Sequence, residues 1–364
     1  MKTGIVGSGG RENTLEETFL RSPSVSEVVR LTGGFEHMLE QALQAGVELI
    51  VVGPERPLVE GFVDFFAKKV PQIKVFGPNA LAAELEGSKI FMKTRCRRWG
   101  IATADFDFAG AYSVAERSIK RTGFRIIKAD GLCDGKGVFV TKDQEAALAG
   151  ARELLERGKI VIEEKLTGVE CSIMTLCDGV EARMLLPARD YKRLSADSDK
   201  MTGGMGAYSP LPDMSDEILP RIQTEIVDKL VQGMAKEGRP YHGVLYAGIM
   251  LTKDGPMLLE VNCRFGDPET QTVLARLDSD IVPYLVACTE YGGLSQMPPL
   301  QWMSLATVCV CYASKGYPDV GRRLGYVLGF GATVALARED AYRKLALIPG
   351  IKDMEWRDDI AAGV

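Results

Sequence analysis

Two apolar segments near the N-terminus each end in a Gly-Pro break, and this repeated pattern constrains the fold most. The segments are VELIVVGPE at 47–55 and IKVFGP at 73–78, and a helical pattern precedes each of them, at about 35–45 and about 57–69. The chain opens with a further short strand at 2–6, the sequence GSGG at 7–10 and a helix from Arg11 to about Arg21. Strands that alternate with helices indicate a parallel sheet covered on both faces. We therefore expect residues 1–87 to form a doubly wound α/β domain.

After residue 87 the pattern changes to antiparallel strands with fewer helices, which predicts an α+β domain over 88–290. Asp-Gly pairs at 178–179 and 254–255 predict two hairpin turns, because both residues readily adopt positive φ. Residues of about 112–180 are expected to form a separate lid subdomain. The sequence PPLQW then marks the start of a small mixed module at 291–364. Its predicted elements are strands near 305–312 and 332–336 and a helix near 338–346.

Composition excludes several classes of function. The 364 residues carry a net charge of −5, so there is no broad basic field for nucleic acid. The eight cysteines include no C-x-x-C pair and the chain has only two histidines, which argues against a zinc site. No signal peptide and no membrane-spanning apolar run is recognised. We expect a cytoplasmic protein, a monomer or small homo-oligomer, that acts on small molecules without nucleic-acid or membrane partners.

The segment EVNCRFGDPETQ at 260–271 places an acid, an amide and a guanidinium at alternate positions. On a strand, Glu260, Asn262 and Arg264 would share one face, while Met257, Leu259 and Val261 would pack into the core. Carboxylate and amide oxygens suit Mg²⁺, which takes its other ligands from phosphates and water. The planar fork of the neighbouring arginine could hold a phosphate or carboxylate. An internal Glu–Arg ion pair on a half-exposed sheet is the alternative interpretation.

Two further segments suggest a nucleotide site. The sequence KADGLCDGKGV at 128–138 puts Lys128 at a strand end, followed by glycines whose backbone amides could approach phosphates closely. Its spacing differs from a Walker A loop, and a plain glycine-rich hairpin is the alternative. The sequence IVIEEKLTGVE at 160–170 could bind adenine and ribose, although acid clusters usually only solvate a surface.

The strand–glycine–helix junction GSGGREN at 7–13 could form an anion cup from free backbone amides. It lacks the G-x-G-x-x-G spacing of a dinucleotide-binding loop.

The order of these segments resembles the ATP-grasp family, in which two α+β subdomains hold Mg-ATP between antiparallel sheets. Within it, the chain is similar to the glycinamide ribonucleotide synthetases, or phosphoribosylamine–glycine ligases. The resemblance covers most of residues 3–290 and is carried by GSGGRE, VVGPE, VFGP, LEGSK, KADGL, TGGMGAYSP, LYAG and NCRFGDPETQ.

The resemblance implies an ATP-dependent ligation with Mg²⁺ or Mn²⁺. ATP would phosphorylate the carboxylate of glycine, and the amine of phosphoribosylamine would attack the acyl phosphate. Glu260 and Asn262 would hold the metal, and Arg264, Lys136 and Asp267 would act in catalysis. The implied nucleotide-binding residues are Lys89, Lys128, Gly135, Gly137, Glu163, Glu164, Leu166 and Glu170. The implied substrate-binding residues are Gly9, Gly10, Arg11, Glu12, Asp190, Gly203, Gly204, Met205 and Pro268.

The chain departs from the resembled family mainly on the side of the amine substrate. Asn13 stands where the family usually has His, the segment LTGGFEHMLEQ lacks the usual PGN stretch, and the C-terminal module is compressed. A ligase with a different amine acceptor, or a nucleotide-binding homologue without catalysis, are therefore the alternatives.

Overall fold

The structure is a computed structural model that describes residues 1–133, 137–198 and 200–364. Four sheets, with helices packed between and around them, organise this part of the chain. Among the described helices, none combines the length and the apolarity that spanning a bilayer requires.

The first sheet is parallel, with the strand order β2-β1-β3-β4. Its strands are β1 (Lys2–Val6), β2 (Glu27–Leu31), β3 (Leu49–Val52) and β4 (Lys74–Phe76), and its helices are α1 (Gly10–Leu20), α2 (Phe35–Ala45), α3 (Glu55–Val59), α4 (Phe62–Lys69) and α5 (Ala80–Gly87). All four residues of β3 are buried, as expected for a strand covered on both faces. The predicted parallel sheet is confirmed. The single helix predicted at 57–69 is wrong, because Gly61, at φ 90°, separates α3 from α4.

The second sheet is antiparallel, with the order β5-β8-β6-β7. It contains β5 (Phe106–Ala109), β6 (Ile126–Ala129), β7 (Val138–Val140) and β8 (Ile160–Glu163), together with α7 (Tyr112–Thr122) and α8 (Gln144–Leu155). Ile127, Ile160 and Ile162 pack with residues of both helices in a core of their own. This small layer presents the ends of β6 and β8, and with them Lys128 and Glu163, to the neighbouring sheet.

The third sheet is also antiparallel, with the order β10-β9-β13-β14. Its strands are β9 (Val169–Asp178), β10 (Ala182–Met184), β13 (His242–Thr252) and β14 (Gly255–Asn262), and the nearby helices are α6 (Lys89–Trp99), α9 (Ile218–Ile222) and α10 (Asp228–Lys236), the last two joined by a π-helical turn at Gln223–Val227. Both predicted Asp-Gly hairpins are found, one between β9 and β10 and one between β13 and β14.

The fourth sheet joins the C-terminal residues to strands from much earlier in the chain. Its members are β11 (Arg189–Asp190), β12 (Gly206–Ser209), β15 (Ala306–Ser314), β16 (Arg323–Gly331) and β17 (Met354–Trp356), with β17 paired to β15. Two helices lie between β14 and β15 in the chain, α11 (Glu269–Leu274) and α12 (Val282–Cys288), and α13 (Val334–Leu345) packs on the sheet. The boundary expected near residue 290 stays a prediction, but this sheet draws on both sides of it.

The strand predicted at 332–336 is wrong, because α13 already begins at Val334 and the strand lies at Arg323–Gly331. Because this strand contains several glycines, its sequence lacks the pattern that predicts a strand. A Cβ at Gly329 would lie 2.1 Å from the carbonyl oxygen of Ala337, and one at Gly331 would lie 2.5 Å from the Ala337 nitrogen. The glycines therefore let the helix pack directly on the strand backbone, at the expense of a recognisable strand pattern.

Candidate active site

A cavity of about 410 Å³ lies where the four sheets meet, and half of the predicted site residues line it. Its lining includes eleven residues singled out in the sequence, namely Arg11, Lys89, Lys128, Gly137, Glu163, Asp190, Gly203, Glu260, Asn262, Arg264 and Asp267. Lys136 and Gly135 lie outside the described residues. Residues as far apart in the sequence as Arg11 and Asp267 are therefore brought together, as a shared site requires.

The remaining predicted residues lie behind or beside this cavity. Met205 is fully buried and belongs to the core. Gly204 faces Pro268, since a Cβ on the glycine would come within 2.5 Å of the Pro268 ring. The Glu164 carboxylate accepts a hydrogen bond from the backbone N–H of Asp105 at 3.0 Å. Leu166, which is half-buried, and the exposed Glu170 follow β8.

The side chains of β14 do not alternate regularly between the two faces of the sheet. Glu260 pairs with Gly248 and Leu258 pairs with Ile249, so Leu259 forms a β-bulge. The bulge moves Leu258 into the core, where it is fully buried, and turns Leu259 to the cavity. The prediction that Leu259 packs inward is therefore wrong, whereas Val261 is buried as expected. Beyond the bulge, Glu260 and Asn262 both line the cavity.

Lys192 provides the counter-charge for the acids at this edge. Its Nζ lies 3.3 Å from a Glu260 oxygen and 3.2 Å from a Glu170 oxygen. The charge of Lys192 lowers the pKa of Glu260 to about 2, against the opposing effect of burial. Glu260 is therefore ionised at neutral pH, as a metal ligand must be. Lys192 follows the predicted Asp190 by two positions, but its pairing with Glu260 and Glu170 was not predicted.

Asp190 lies in the same charge cluster but behaves differently. Burial raises its pKa to about 7, and the nearby carboxylates of Glu269, Glu170 and Glu260 act in the same direction. Lys192 opposes this shift without cancelling it. The group therefore titrates near neutral pH while Glu260 stays charged, so two carboxyls in one cavity have distinct protonation states.

Arg264 is held by acids from the N-terminal part of the chain. Its Nε donates to Glu55 at 3.2 Å, and an Nη lies 3.9 Å from Glu86. The same side chain donates to the amide oxygen of Asn262 at 3.2 Å. The Glu260–Arg264 ion pair considered as an alternative is therefore not the arrangement found. Glu55 and Glu86 were missed as site residues, although they end VVGPE and lie within LEGSK.

A buried charge cluster supports Lys128. One oxygen of Glu163 lies 3.0 Å from the Lys128 Nζ and 3.2 Å from the Lys93 Nζ. The side chain of Lys93 is fully buried and also donates to Thr103 at 2.7 Å. Burial lowers the pKa of Lys93, and the charge of Glu163 opposes that effect. The second Glu163 oxygen is buried with no hydrogen-bond partner among the described atoms. Lys93 was missed, although helical spacing from Lys89 could have indicated it.

The glycine-rich segment is anchored to the start of α6. Ser88 donates to the Asp130 carboxylate at 3.0 Å, and the backbone N–H of Ile90 donates to the same group at 3.1 Å. Lys89 donates from its Nζ to the carbonyl of Gly131 at 2.9 Å. These contacts hold Lys89 and the beginning of the loop at one wall of the cavity.

The N-terminal glycine loop is organised by Glu12. This buried carboxylate accepts from the backbone N–H of Gly9 at 2.6 Å and pairs with Arg11 at 2.7 Å. A Cβ at Gly53 would come within 2.0 Å of the same carboxylate, so glycine is required there. Glu12 shapes the loop, and Arg11 is the residue of this pair that reaches the cavity. Gly10 lies at the start of α1, beside Gln271 and Tyr326.

The C-terminal sheet contributes a residue that the sequence did not reveal. Arg323, at the start of β16, pairs with the Asp267 carboxylate at 2.5 Å. It also donates to the carbonyls of Gly203 at 2.9 Å and Gly204 at 3.1 Å. On the other side, the Tyr317 hydroxyl accepts from the Gly203 N–H at 3.0 Å. The C-terminal module therefore forms one wall of the cavity.

The cavity lies between two antiparallel layers and is lined by lysines, glycines and an acidic strand edge. This arrangement defines the chain as an ATP-grasp protein. A model of the phosphoribosylglycinamide synthetase N domain matches residues 1–86, and a model of the ATP-grasp (A) domain of the same synthetase matches residues 87–270. The chain belongs to the phosphoribosylglycinamide synthetase family, and the predicted family and fold class are confirmed.

Individual relatives agree with this assignment. The phosphoribosylamine–glycine ligase of Caulobacter vibrioides is 40% identical over 358 residues, which cover 90% of this chain and 82% of the relative. The crystal structure of the Thermotoga maritima phosphoribosylamine–glycine ligase superposes with a TM-score of 0.84 at 30% identity and covers 99% of this chain and 100% of that one. A Campylobacter jejuni biotin carboxylase, solved with an ATP analogue, has a TM-score of 0.72 at 14% identity over 97% of this chain and 91% of that one, which shows a shared fold alone.

Proposed function

We propose that this chain is an ATP-dependent ligase that joins glycine to 5-phosphoribosylamine through a glycyl phosphate, in purine biosynthesis. The γ-phosphoryl group of ATP passes to the glycine carboxylate and releases ADP. The amine nitrogen then attacks the acyl carbon, the C–O bond to phosphate breaks, and the amine loses a proton. The observation that carries the proposal is the meeting of Lys128, the Glu260–Asn262 edge and Arg264 in one cavity.

Lys89 and Lys128 are proposed to bind the nucleotide phosphates, and Lys128 is positioned for this by Glu163. One charge pair at 4 Å contributes about 4 kcal/mol at an effective dielectric constant near 20, so a few such contacts affect the rate strongly. Arg264, fixed by Glu55 and Asn262, is proposed to stabilise charge on the acyl phosphate. Positioning and charge neutralisation then supply catalysis without a histidine base.

The residues present fit a magnesium ion. Glu260 is ionised, Asn262 offers an amide oxygen from the same strand, and both line the cavity. Magnesium commonly uses one or two protein oxygens and takes its other ligands from phosphates and water. The described residues contain no group of three or more His, Cys, Asp or Glu placed to hold a metal. Glu260 and Asn262 would hold Mg²⁺ or Mn²⁺, which when bound would neutralise phosphate charge.

On the substrate side, we propose that Arg11, Asp190 and the Gly203 loop shape the pocket together with Asp267. Asp267 lies beside the N-terminal glycine loop, since a Cβ at Gly9 would be 3.7 Å from its carboxylate. The expected cytoplasmic location and the absence of nucleic-acid and membrane partners stay predictions.

The test measures ADP and phosphate formation with glycine alone, with chemically generated phosphoribosylamine alone, and with both. We expect turnover only with both substrates. Equal turnover with unrelated amines, and no response to phosphoribosylamine, would reject the proposal.

A second candidate keeps the acyl-phosphate chemistry but uses another amine. The Asn13 side chain accepts a hydrogen bond from Arg30 at 2.9 Å, and Arg30 also donates to the Gly7 carbonyl at 3.1 Å and pairs with Glu16. An arginine therefore braces the glycine loop at the place where the sequence departs from the resembled family. Phosphate release measured across a panel of amines separates the two candidates, since only the second predicts a better acceptor than phosphoribosylamine.

A further inference from the structure

A second cavity, of about 280 Å³, lies away from the candidate active site and shares no lining residue with it. It lies where the end of β12, the end of α11 and the starts of β15 and α13 come together. Its lining consists of Pro210, Pro212, Arg276, Ser304, Leu305, Ala306, Ala332, Thr333 and Val334. Arg276 is the only ionisable side chain in this set, and no acid faces it there.

Arg276 is a buried cation without a counter-charge. Only 8% of the residue is exposed. Among the described residues, its one side-chain hydrogen bond runs from Nη1 to the Ser209 hydroxyl at 2.6 Å, and its buried Nε has no partner there. Within residues 1–133, 137–198 and 200–364, no carboxylate lies within the 4.0 Å of an ion pair. Burial accordingly lowers the pKa of this guanidinium, with no charged neighbour to offset the effect.

Burying this unpaired charge costs folding free energy unless a ligand provides the counter-charge. A buried charge without a partner costs several kcal/mol, and proteins normally place an acid beside it. The buried Arg264 follows that rule, because Glu55 and Glu86 lie next to it. Arg276 does not follow it, although its side chain borders a cavity large enough to admit a small ion.

The start of α13 reaches the same cavity. This helix has 12 residues, and its cap residue Thr333 and first residue Val334 both belong to the lining. The Thr333 side chain accepts from the N–H of Leu336, which leaves N–H groups of the first turn without an intrahelical acceptor. A helix N-terminus carries roughly half a positive charge and favours anions. Two independent positive groups therefore border one cavity.

We propose that this cavity binds a small oxyanion, with inorganic phosphate as its simplest representative, between the Arg276 guanidinium and the first turn of α13. The anion would supply the counter-charge that the chain itself lacks at this position. The proposal does not rest on the ligase reaction, because none of the residues involved lines the active-site cavity.

The test uses the full chain with a non-hydrolysable ATP analogue and magnesium bound, so that phosphate cannot bind at the nucleotide part of the active site; the Ser304 variants below distinguish this cavity from the rest of the active site. The thermal midpoint is followed as phosphate is titrated at constant ionic strength, with chloride as the reference anion. We expect a saturable rise in the midpoint with phosphate only. A crystal soaked in selenate should show its anomalous signal beside Arg276.

Two variants of the exposed Ser304 form a matched pair. Ser304→Asp places a fixed carboxylate in the cavity and should weaken phosphate binding by about tenfold or more, whereas the neutral Ser304→Asn should retain it. Arg276→Met should abolish the phosphate response, provided that circular dichroism shows a folded protein. Equal phosphate responses in the two Ser304 variants, or selenate signal confined to other places, would overturn the proposal.

Discussion

The sharpest prediction concerns the buried pair of Lys93 and Glu163. Both side chains are at most 3% exposed, and their charged atoms are 3.2 Å apart. At an effective dielectric constant near 20, this distance corresponds to about 5 kcal/mol of attraction. Glu163→Gln removes the acid and leaves Lys93 buried beside a second cation, Lys128. We expect the free energy of unfolding to fall by about 3–5 kcal/mol, the cost of breaking a buried ion pair from one side.

The measurement is urea denaturation followed by circular dichroism. Glu164→Gln is the matched control, because Glu164 is the adjacent acid and its side chain is part-exposed. Its loss should cost less than about 1 kcal/mol. Lys93→Met is the second arm of a double-mutant cycle, and its combination with Glu163→Gln should recover about 2 kcal/mol or more relative to additivity.

Two results would refute this reasoning. If Glu163→Gln and Glu164→Gln destabilise equally, the buried pair makes no special contribution. If the effects of Lys93→Met and Glu163→Gln simply add, the two groups are not coupled, and Lys128 or Thr103 carries the stabilisation instead.

Three further predictions concern the cavity. Glu260→Gln should reduce ligase turnover by about a hundredfold or more with little change in the urea midpoint, since its part-exposed carboxylate is a proposed metal ligand; normal phosphate release would contradict this. Burial raises the pKa of Asp190 to about 7, so the folded protein binds a proton that the unfolded chain has lost from about pH 4 upward. This group should make stability fall as the pH rises from about 4 to 7, and the urea midpoint of Asp190→Asn should lack that component. Arg323→Lys should lower kcat/KM by about tenfold or more, because one ammonium cannot replace the contacts to Asp267, Gly203 and Gly204. An unchanged kcat/KM would show that the side of the cavity formed by Arg323 does not contribute to the reaction.

Local patterns in the sequence predicted the fold well where one residue type determines the structure. The Asp-Gly pairs produced hairpins, and the Gly-Pro breaks ended the buried strands of the parallel sheet. The errors occurred where tertiary contacts decide. In the sequence, Gly329 and Gly331 suggest a loop, and only the packing of α13 on them shows why a strand contains glycine there. Likewise, only the pairing of β14 with β13 reveals the bulge at Leu259.

The candidate site was predictable to the extent that its residues lie in contiguous motifs. Glu260 and Asn262 lie on β14, where their alternate positions indicated a shared polar face, and Lys128 lies near the end of β6. Lys192 and Arg323 could not be found in this way. In the sequence, Lys192 is an ordinary lysine in a varied loop. Only the structure shows that it lies between Glu170 and Glu260. Arg323 lies in a glycine-containing strand that the sequence concealed.

The position of Arg323 also bears on the C-terminal module, which is predicted to be shortened. The fourth sheet pairs β12 with β15 and β15 with β16, so the strand before Arg323 and the strand after the Gly203 loop belong to one hydrogen-bonded unit. Asp190 lies at the other side of that sheet, in β11. Three segments of the substrate wall therefore depend on the register of a single sheet. We therefore expect a shortened module to complete the site as long as β15 and β16 remain, because these strands hold Arg323 against Asp267.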